Sequence, residues 1–163
     1  MCDPGFHWDG FLMAEGDTSL VDGDLVLNLH VTEYEDTEAG PLPVYRFIMQ
    51  NRGTGLQMGF INLRIREDWN LVLYRGHIGF AVEEAYRGQR YASRATRLLL
   101  PLARGHGLRE VWLTCNPENS ASAKSCELAG GSYVETVTVP EDTEAYRAGA
   151  RIKKRFVINL LPG

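Results

Sequence analysis

The residues best suited to chemistry lie in a short loop before a leucine-rich helix, within YRGQRYASRATRLLLPLAR (86–104). The first turn of a helix has backbone N–H groups without intrahelical partners and the positive end of the macrodipole, so it can hold a phosphate. Arg90 stands where such a loop would usually have a second glycine. Because only glycine adopts a left-handed backbone at low cost, we expect right-handed geometry at Arg90. The predicted anion-binding residues are Arg87, Gly88, Gln89, Arg90, Tyr91, Ala92 and Ser93.

A second polar stretch follows downstream, NPENSASAKSCELAGG (116–131). It predicts a short helix over 120–129 that Asn119 or Ser120 caps and that Gly130 and Gly131 end. Side chains with hydrogen-bonding or charged groups on this helix are candidates to contact a ligand held by the upstream loop.

The remaining pattern predicts a mixed α/β sheet in a single domain, residues 1–163, with the strand-helix-strand unit around the loop as its parallel part. Alternation of apolar and polar residues is clearest in DLVLNLHVTEYE. Strands are predicted over 24–35, 44–51, 56–66, 72–82, 110–115, 132–139 and 151–160, with EDTEAGPLP as a loop, PEDTEAYRAGA as an acidic connection and residues 1–19 irregular.

Two further details concern single residues. Gly76 and Gly79 interrupt the strand predicted over 72–82, which indicates a bulge or a close backbone approach. Pro101 lies inside the helix predicted from Tyr91 to about Gly105, and it predicts a kink or an early end because it removes one intrahelical hydrogen bond.

The stretch from His77 to Gly131 resembles the core of the GNAT superfamily of N-acetyltransferases, which transfer an acetyl group from acetyl-CoA to an amine. In that family a bulged strand leads into a loop with Arg or Gln first, Gly fourth, and Gly or Ala sixth. Here Arg87 and Ala92 match, whereas Arg90 does not. The family's second motif has an Asn, a small residue three places on, an aromatic residue seven places on and a Gly near the end of the helix. Here Asn119, Ser122 and Gly130 match, whereas Cys126 does not. The family's pair of helices between its first two strands is missing or very short.

The resemblance implies an α+β fold with a mostly antiparallel central sheet of about seven strands, a bulged, splayed parallel strand pair and flanking helices. It also implies acetyl-CoA as the acetyl donor. The loop amides would hold the pyrophosphate, and the exposed backbone of the splayed strand would pair with the pantetheine arm. The residues implied beyond the loop are Phe80, Ala81 and Val82 on the strand, Asn119 and Ser122 along the arm, and Lys124 for the 3′-phosphate.

Acetyl transfer needs a base for the amine and an acid for the departing thiolate. The family's usual acid is a tyrosine, in the slot that Cys126 holds here. The sequence offers several candidates for the base, namely Glu83, Glu84, His77 and Glu135. Two further candidates for the acid are Tyr133 and Tyr146. Each also has an ordinary structural interpretation: Cys126 as a packed apolar residue, His77 as a satisfied histidine, the glutamates as solvated charges, and Asn119 as a helix cap.

Composition narrows the class of protein. A net charge of −4 and a pI near 5.6 argue against a nucleic-acid binder, and the longest apolar runs are far too short for a membrane span. The start does not have the pattern of a signal peptide, so we predict a cytoplasmic protein without a metal site. Cys2, Cys115 and Cys126 are expected to be free thiols.

The sequence therefore predicts an acetyl-CoA-dependent N-acetyltransferase that acts on a small amine or a peptide amine. The acidic segments 33–38 and 141–144 would suit a cationic acceptor. The alternative is a non-catalytic acyl-CoA-binding or regulatory module, and a weaker one is a nucleotide-binding domain, which lacks its usual glycine motifs. If a homodimer forms, the last strands and the N-terminus are the expected contact.

Overall fold

The first layer is a five-stranded antiparallel sheet in chain order. The computed structural model describes residues 6–160, so Cys2 lies outside the described residues. Leu25, Leu27 and Leu29 alternate with more exposed neighbours and are fully buried, as the period of a half-buried strand requires. The strands are β1 Leu20–Asp22, β2 Leu25–Thr37, β3 Gly40–Asn51, β4 Gln57–Arg64 and β5 Ile78–Val82.

The second layer is a three-stranded antiparallel sheet in the order β6-β8-β7, formed by β6 Glu110–Cys115, β7 Ser132–Thr138 and β8 Ile152–Asn159. The helices are α1 Tyr91–Gly105, α2 Ser120–Leu128 and α3 Glu144–Arg147. One face of α1 is buried in the main core with both sheets. The predicted α+β fold with antiparallel sheets and flanking helices is confirmed, with eight strands divided between two sheets.

The two sheets meet at His77 and Trp112. The His77 N–H donates to the Trp112 carbonyl oxygen at 2.7 Å, and the Trp112 N–H donates to Nδ1 of the His77 ring at 2.9 Å. Gly76 allows the approach, since a Cβ there would lie 2.8 Å from the Trp112 oxygen. Beyond this junction β5 and β6 belong to separate sheets, so the strand pair is splayed along the length of β5.

The prediction of a strand over 72–82 is wrong for the first half of that range. Leu71–Arg75 forms one π-helical turn, closed by a hydrogen bond of 2.6 Å from the Gly76 N–H to the Leu71 carbonyl oxygen. Asp68 favours this turn because its carboxylate accepts the Leu71 N–H at 3.0 Å. The pairing of β5 with β4 shows no register shift, so the splay begins at His77 and does not come from a bulge at 79–82.

Three connections also differ from or sharpen the predictions. The segment expected as a loop at 35–43 is mostly paired, because β2 and β3 join in a tight hairpin with Thr37 opposite Gly40. This hairpin leaves no helices between the first strands, as predicted. The acidic connection 140–150 contains α3, which Thr143 caps at the Tyr146 N–H. Helix α1 continues past Pro101 to Gly105.

None of the helices in residues 6–160 is long and apolar enough to cross a membrane. The cytoplasmic location and the homodimer remain predictions. Cys115 and Cys126 are free and buried, as expected of thiols outside a disulfide.

Candidate active site

The loop before α1 presents a row of free backbone donors. Within the described part of the chain, the N–H groups of residues 88–93 donate no hydrogen bond, and the first donor of the helix is the Arg94 N–H, to the Arg90 carbonyl oxygen at 2.9 Å. No side chain caps the helix. Arg87 lies at the loop's start, where its Nε donates to the Val82 carbonyl oxygen at 3.0 Å. Six successive free amides at a helix start form a site suited to phosphate.

The prediction of right-handed geometry at Arg90 is wrong. Arg90 has φ 64° and ψ 22°, the left-handed conformation, and it is the one residue other than glycine with positive φ in residues 6–160. The chain must turn sharply from the loop into α1, and the buried Tyr91 and Ala92 that follow hold the turn in place. Arg90 therefore adopts a conformation that glycine reaches more easily, at a cost of about 1 kcal/mol. A non-glycine residue held in this conformation is typical of a functional loop.

A cleft of about 310 Å³ extends from this loop along β5 and α2. One side comes from the splayed strand and the loop, and the other from the first turns of α2. We call it the donor cleft, and it is lined by Phe80, Ala81, Val82, Arg87, Ala92, Asn119, Ala121, Ser122 and Ser125. The structure thus brings together seven of the residues that the sequence predicted as cofactor-binding, from both motifs.

The other predicted cofactor residues are outside the lining of the donor cleft. Tyr91 is buried and its hydroxyl donates to Asp24, so only its backbone N–H faces the loop site. Ser93 is buried with its hydroxyl bonded to the Arg90 carbonyl oxygen. Gln89 and Lys124 are exposed. Gly88 and Arg90 are also outside the lining, and their backbone N–H groups belong to the loop's row of free donors. Cofactor contacts by these six residues remain predictions, as do those of the lining residues.

A larger cavity of about 550 Å³ adjoins the donor cleft, and we call it the acceptor cavity. Phe80 and Ser122 line both cavities, so the two meet there. Charged side chains surround the rest of the acceptor cavity, namely Glu35, Arg64, Arg75, Glu144 and Lys153. Glu35 and Glu144 belong to the acidic segments 33–38 and 141–144 that the sequence analysis connected with an acceptor. The sequence patterns did not single out Arg64, Arg75 and Lys153, because β4, the π-helical turn and β8 are brought together only by the fold.

His77 has no exposed surface, and both of its ring nitrogens are used. Nδ1 accepts from the Trp112 N–H, so Nε2 carries the proton and donates to the Arg66 carbonyl oxygen at 3.1 Å. Burial lowers the pKa of His77 to about 4. These contacts favour the structural interpretation of His77 over that of a base.

Cys126, in the family's tyrosine slot, is 1% exposed and packs in the main core. A hydrogen bond with Cys115 and burial both raise the pKa of the Cys126 thiol far above its ordinary value. Neither cavity is lined by Cys126. The geometry favours a packing role, and the slot's side chain is not directed at the junction of the two cavities.

The other predicted acids and bases also lie away from that junction. Glu83 and Glu84 are exposed beyond the end of β5, next to the loop. Glu135 pairs with Arg155 at 3.2 Å. Tyr133 is 53% exposed on the edge strand β7, and Tyr146 packs under the Arg151 guanidinium at 3.6 Å. The hydroxyl that the structure does bring to the junction is that of Ser122.

The chain matches the family model described as an acetyltransferase (GNAT) domain over residues 25–132, about two thirds of its length. It therefore belongs to the GNAT acetyltransferase family, as the two motifs indicated. The match includes the loop, the splay and all of α2. No curated protein sequence is significantly similar to the chain.

Solved structures with the same fold are distant in sequence. One assigned as a ribosomal-protein-serine acetyltransferase from Vibrio cholerae has 16% identity and a TM-score of 0.62, covering 90% of this chain and 99% of that one. An acetyltransferase from Salmonella typhimurium that modifies the N-terminal serine of ribosomal protein L7/L12 has 17% identity and a TM-score of 0.54, covering 71% and 63%. An aminoglycoside acetyltransferase in complex with coenzyme A and kanamycin has 14% identity and a TM-score of 0.51, covering 71% and 66%. At these identities the likeness concerns the fold.

Proposed function

We propose that this chain transfers the acetyl group of acetyl-CoA directly to the amine of a small molecule or a peptide. The observation that carries the proposal is the meeting of two cavities at Phe80 and Ser122. One reaches the loop before α1 and the other is lined by β2, β4, α3 and β8. A donor in one cavity and an acceptor in the other would meet at Phe80 and Ser122 without an intermediate carrier.

The residues of the donor cleft are suited to coenzyme A. Free N–H groups at 88–93 match the pyrophosphate, with Arg87 beside them. Along β5 the edge not paired with β4 offers backbone groups to the amide-rich pantetheine arm. Acetyl-CoA supplies the acetyl group as a thioester. The structural neighbours include one in complex with coenzyme A, which supports the same cofactor here.

The groups that would accept and donate protons are proposed from their positions in the two cavities. Both carboxylates of the acceptor cavity have partners, since Glu35 pairs with Arg75 at 2.9 Å and Glu144 accepts the Glu38 N–H. We propose that the amine therefore enters after losing its proton to water. As the new C–N bond forms and the C–S bond breaks, the Ser122 hydroxyl donates its proton to the departing sulfur and takes one from the acetylated nitrogen.

The test is release of free thiol from acetyl-CoA over a panel of small amines and peptide N-termini, together with thermal unfolding in acetyl-CoA, CoA and ATP. We expect both CoA species to raise the melting temperature and at least one amine to give thiol release. Stabilisation without release by any amine would favour the binding-module alternative. Stabilisation by ATP alone would overturn the assignment of the donor cleft.

A further inference from the structure

Arg64 reaches from β4 across β5 into the acceptor cavity because Gly79 has no side chain. The two strands pair with Asn62 opposite Gly79. A Cβ on Gly79 would lie 3.2 Å from Nη2 of Arg64, so the guanidinium lies against that glycine. Its Nη1 donates to the Gly76 carbonyl oxygen at 3.1 Å. The charge is thus held beside Phe80, where the two cavities meet.

The Glu35 carboxylate partly offsets the charge of the Arg64 guanidinium but does not pair with it directly. Among residues 6–160 the Gly76 carbonyl oxygen is its one hydrogen-bond acceptor, and no carboxylate lies within ion-pair distance. The nearby carboxylate, Glu35, is engaged by Arg75 at 2.9 Å and Arg46 at 3.6 Å. Burial and the neighbouring Arg75 lower the pKa of Arg64 to about 10, which still leaves it charged at neutral pH. A half-buried, charged fork with free donors is suited to bind an anion.

The lining of the acceptor cavity as a whole is also net positive. Three cations line it, namely Arg64, Arg75 and Lys153, against the two carboxylates Glu35 and Glu144. Within the part of the chain that the structure describes, the Lys153 ammonium donates to a neutral group, the Asn116 side-chain oxygen, at 2.9 Å. The cavity therefore has a surplus of positive charge around a guanidinium with free donors.

We infer that the acceptor is an amine that also carries a carboxylate, and that Arg64 binds this carboxylate. The inference rests on the proposed acetyl transfer, because it concerns the acceptor of that reaction. It differs from the cationic acceptor expected from the acidic segments. Carboxylates of residues 33–38 are engaged in the fold, with Glu33 bonded to Arg46 and Glu38 to Arg147.

The test compares amines of similar size that differ in charge. The set is γ-aminobutyrate, its carboxamide and putrescine. We expect kcat/KM to be about 10- to 100-fold higher for the carboxylate member than for its carboxamide, the range of a charge-assisted hydrogen bond. A carboxamide or putrescine acetylated as well as the carboxylate would overturn the inference and leave the acetyltransferase intact. Failure of every amine with retained acetyl-CoA binding would instead count against the proposed function.

Two variants test whether Arg64 is responsible. Arg64→Met should remove the preference for the carboxylate by raising KM more than it lowers kcat, while the carboxamide is little affected. Gly79→Ala keeps the charge and displaces the guanidinium, so it should weaken the same preference even if Arg64→Met does not fold. Arg104→Met, at an exposed arginine on α1, is the matched control and should leave the preference unchanged. Stabilisation by acetyl-CoA shows in each case that the fold is retained, and an unchanged preference in both test variants would exclude Arg64 as the anion site.

Discussion

His77 and Trp112 are joined by two hydrogen bonds. The His77 N–H donates to the Trp112 carbonyl oxygen, and the Trp112 N–H donates to the His77 ring. The imidazole takes up a backbone N–H of β6 that a regular strand pair would bond to a carbonyl oxygen. Its other nitrogen is bonded to Arg66, so the ring joins three segments of chain. The separation of β5 from β6, and with it both cavities, starts at this contact.

The first prediction concerns pH. The folded pKa of His77, about 4, lies below its ordinary value of 6.5, so between these values the unfolded chain binds the proton and the folded chain does not. The contribution of His77 to stability is complete above pH 6.5 and should fall by up to about 3 kcal/mol as the pH drops towards 4. Denaturant unfolding over this range should show a flatter pH dependence for His77→Gln. The exposed His30→Gln is the control, and a curve for His77→Gln parallel to that of the wild type would contradict the prediction.

A second prediction concerns Gly76, which lets the turn before β5 approach β6. Gly76 has φ 76°, and a Cβ there would lie 2.8 Å from the Trp112 oxygen. Gly76→Ala should lower the free energy of unfolding by about 3 kcal/mol, because it adds a backbone clash to the cost of a left-handed residue. Gly107→Ala has a similar φ of 90° and open space around it, so it should cost only about 1 kcal/mol. Equal losses in the two variants would show that the contact with Trp112 does not matter.

Arg90 gives a third prediction. Arg90→Gly should raise the free energy of unfolding by about 0.5–1 kcal/mol, because relief of the left-handed strain exceeds the entropy that glycine adds to the unfolded chain. Arg90→Ala removes the same charge without relieving the strain and should give no such gain. Both variants should still be stabilised by acetyl-CoA, since the loop amides remain. Loss of that stabilisation in both would mean that the side chain, and not the backbone, holds the phosphates.

The fourth prediction separates Ser122 from Cys126. Ser122→Ala should lower kcat by about 10- to 100-fold with little change in KM for acetyl-CoA, as expected for a proton donor. Ser125→Ala, on the same helix but lining only the donor cleft, should leave kcat within about twofold. Cys126→Ala should lower the free energy of unfolding by about 1 kcal/mol through loss of buried packing and leave kcat unchanged. A large fall in kcat for Cys126→Ala alone would return the acid role to the thiol.

The sequence patterns indicated most residues that line the donor cleft, because those residues lie close together in the chain. The loop, the start of α1 and the first turns of α2 are each specified by residues close together in the chain, such as Asn119, whose side chain accepts the Ser122 N–H. The identity of the fold class followed from the same motifs. The left-handed Arg90 could not be predicted from its type, because the packing of Tyr91 and Ala92 outweighs the intrinsic preference of an arginine.

The acceptor side could not be predicted in the same way. Arg64 lies against Gly79 diagonally across the paired strands β4 and β5, and neither residue alone indicates that contact. The turn at Leu71–Arg75 also followed from a contact with Asp68 that outweighs the strand preference of its apolar residues. Such pairings depend on strand register, which the sequence patterns did not specify at single-residue precision.

The charged lining of the acceptor cavity comes from segments that the donor cleft does not use. Apart from Phe80 and Ser122, the donor cleft takes its lining from residues 81–125, whereas those charges come from Glu35, residues 64–75, and residues 144–153. The acceptor cavity also takes Gly79, Thr114 and Asn116 from the region around the donor cleft. Under the proposed function, changes confined to the outer charged segments are expected to alter the choice of amine and leave the lining of the donor cleft as it is.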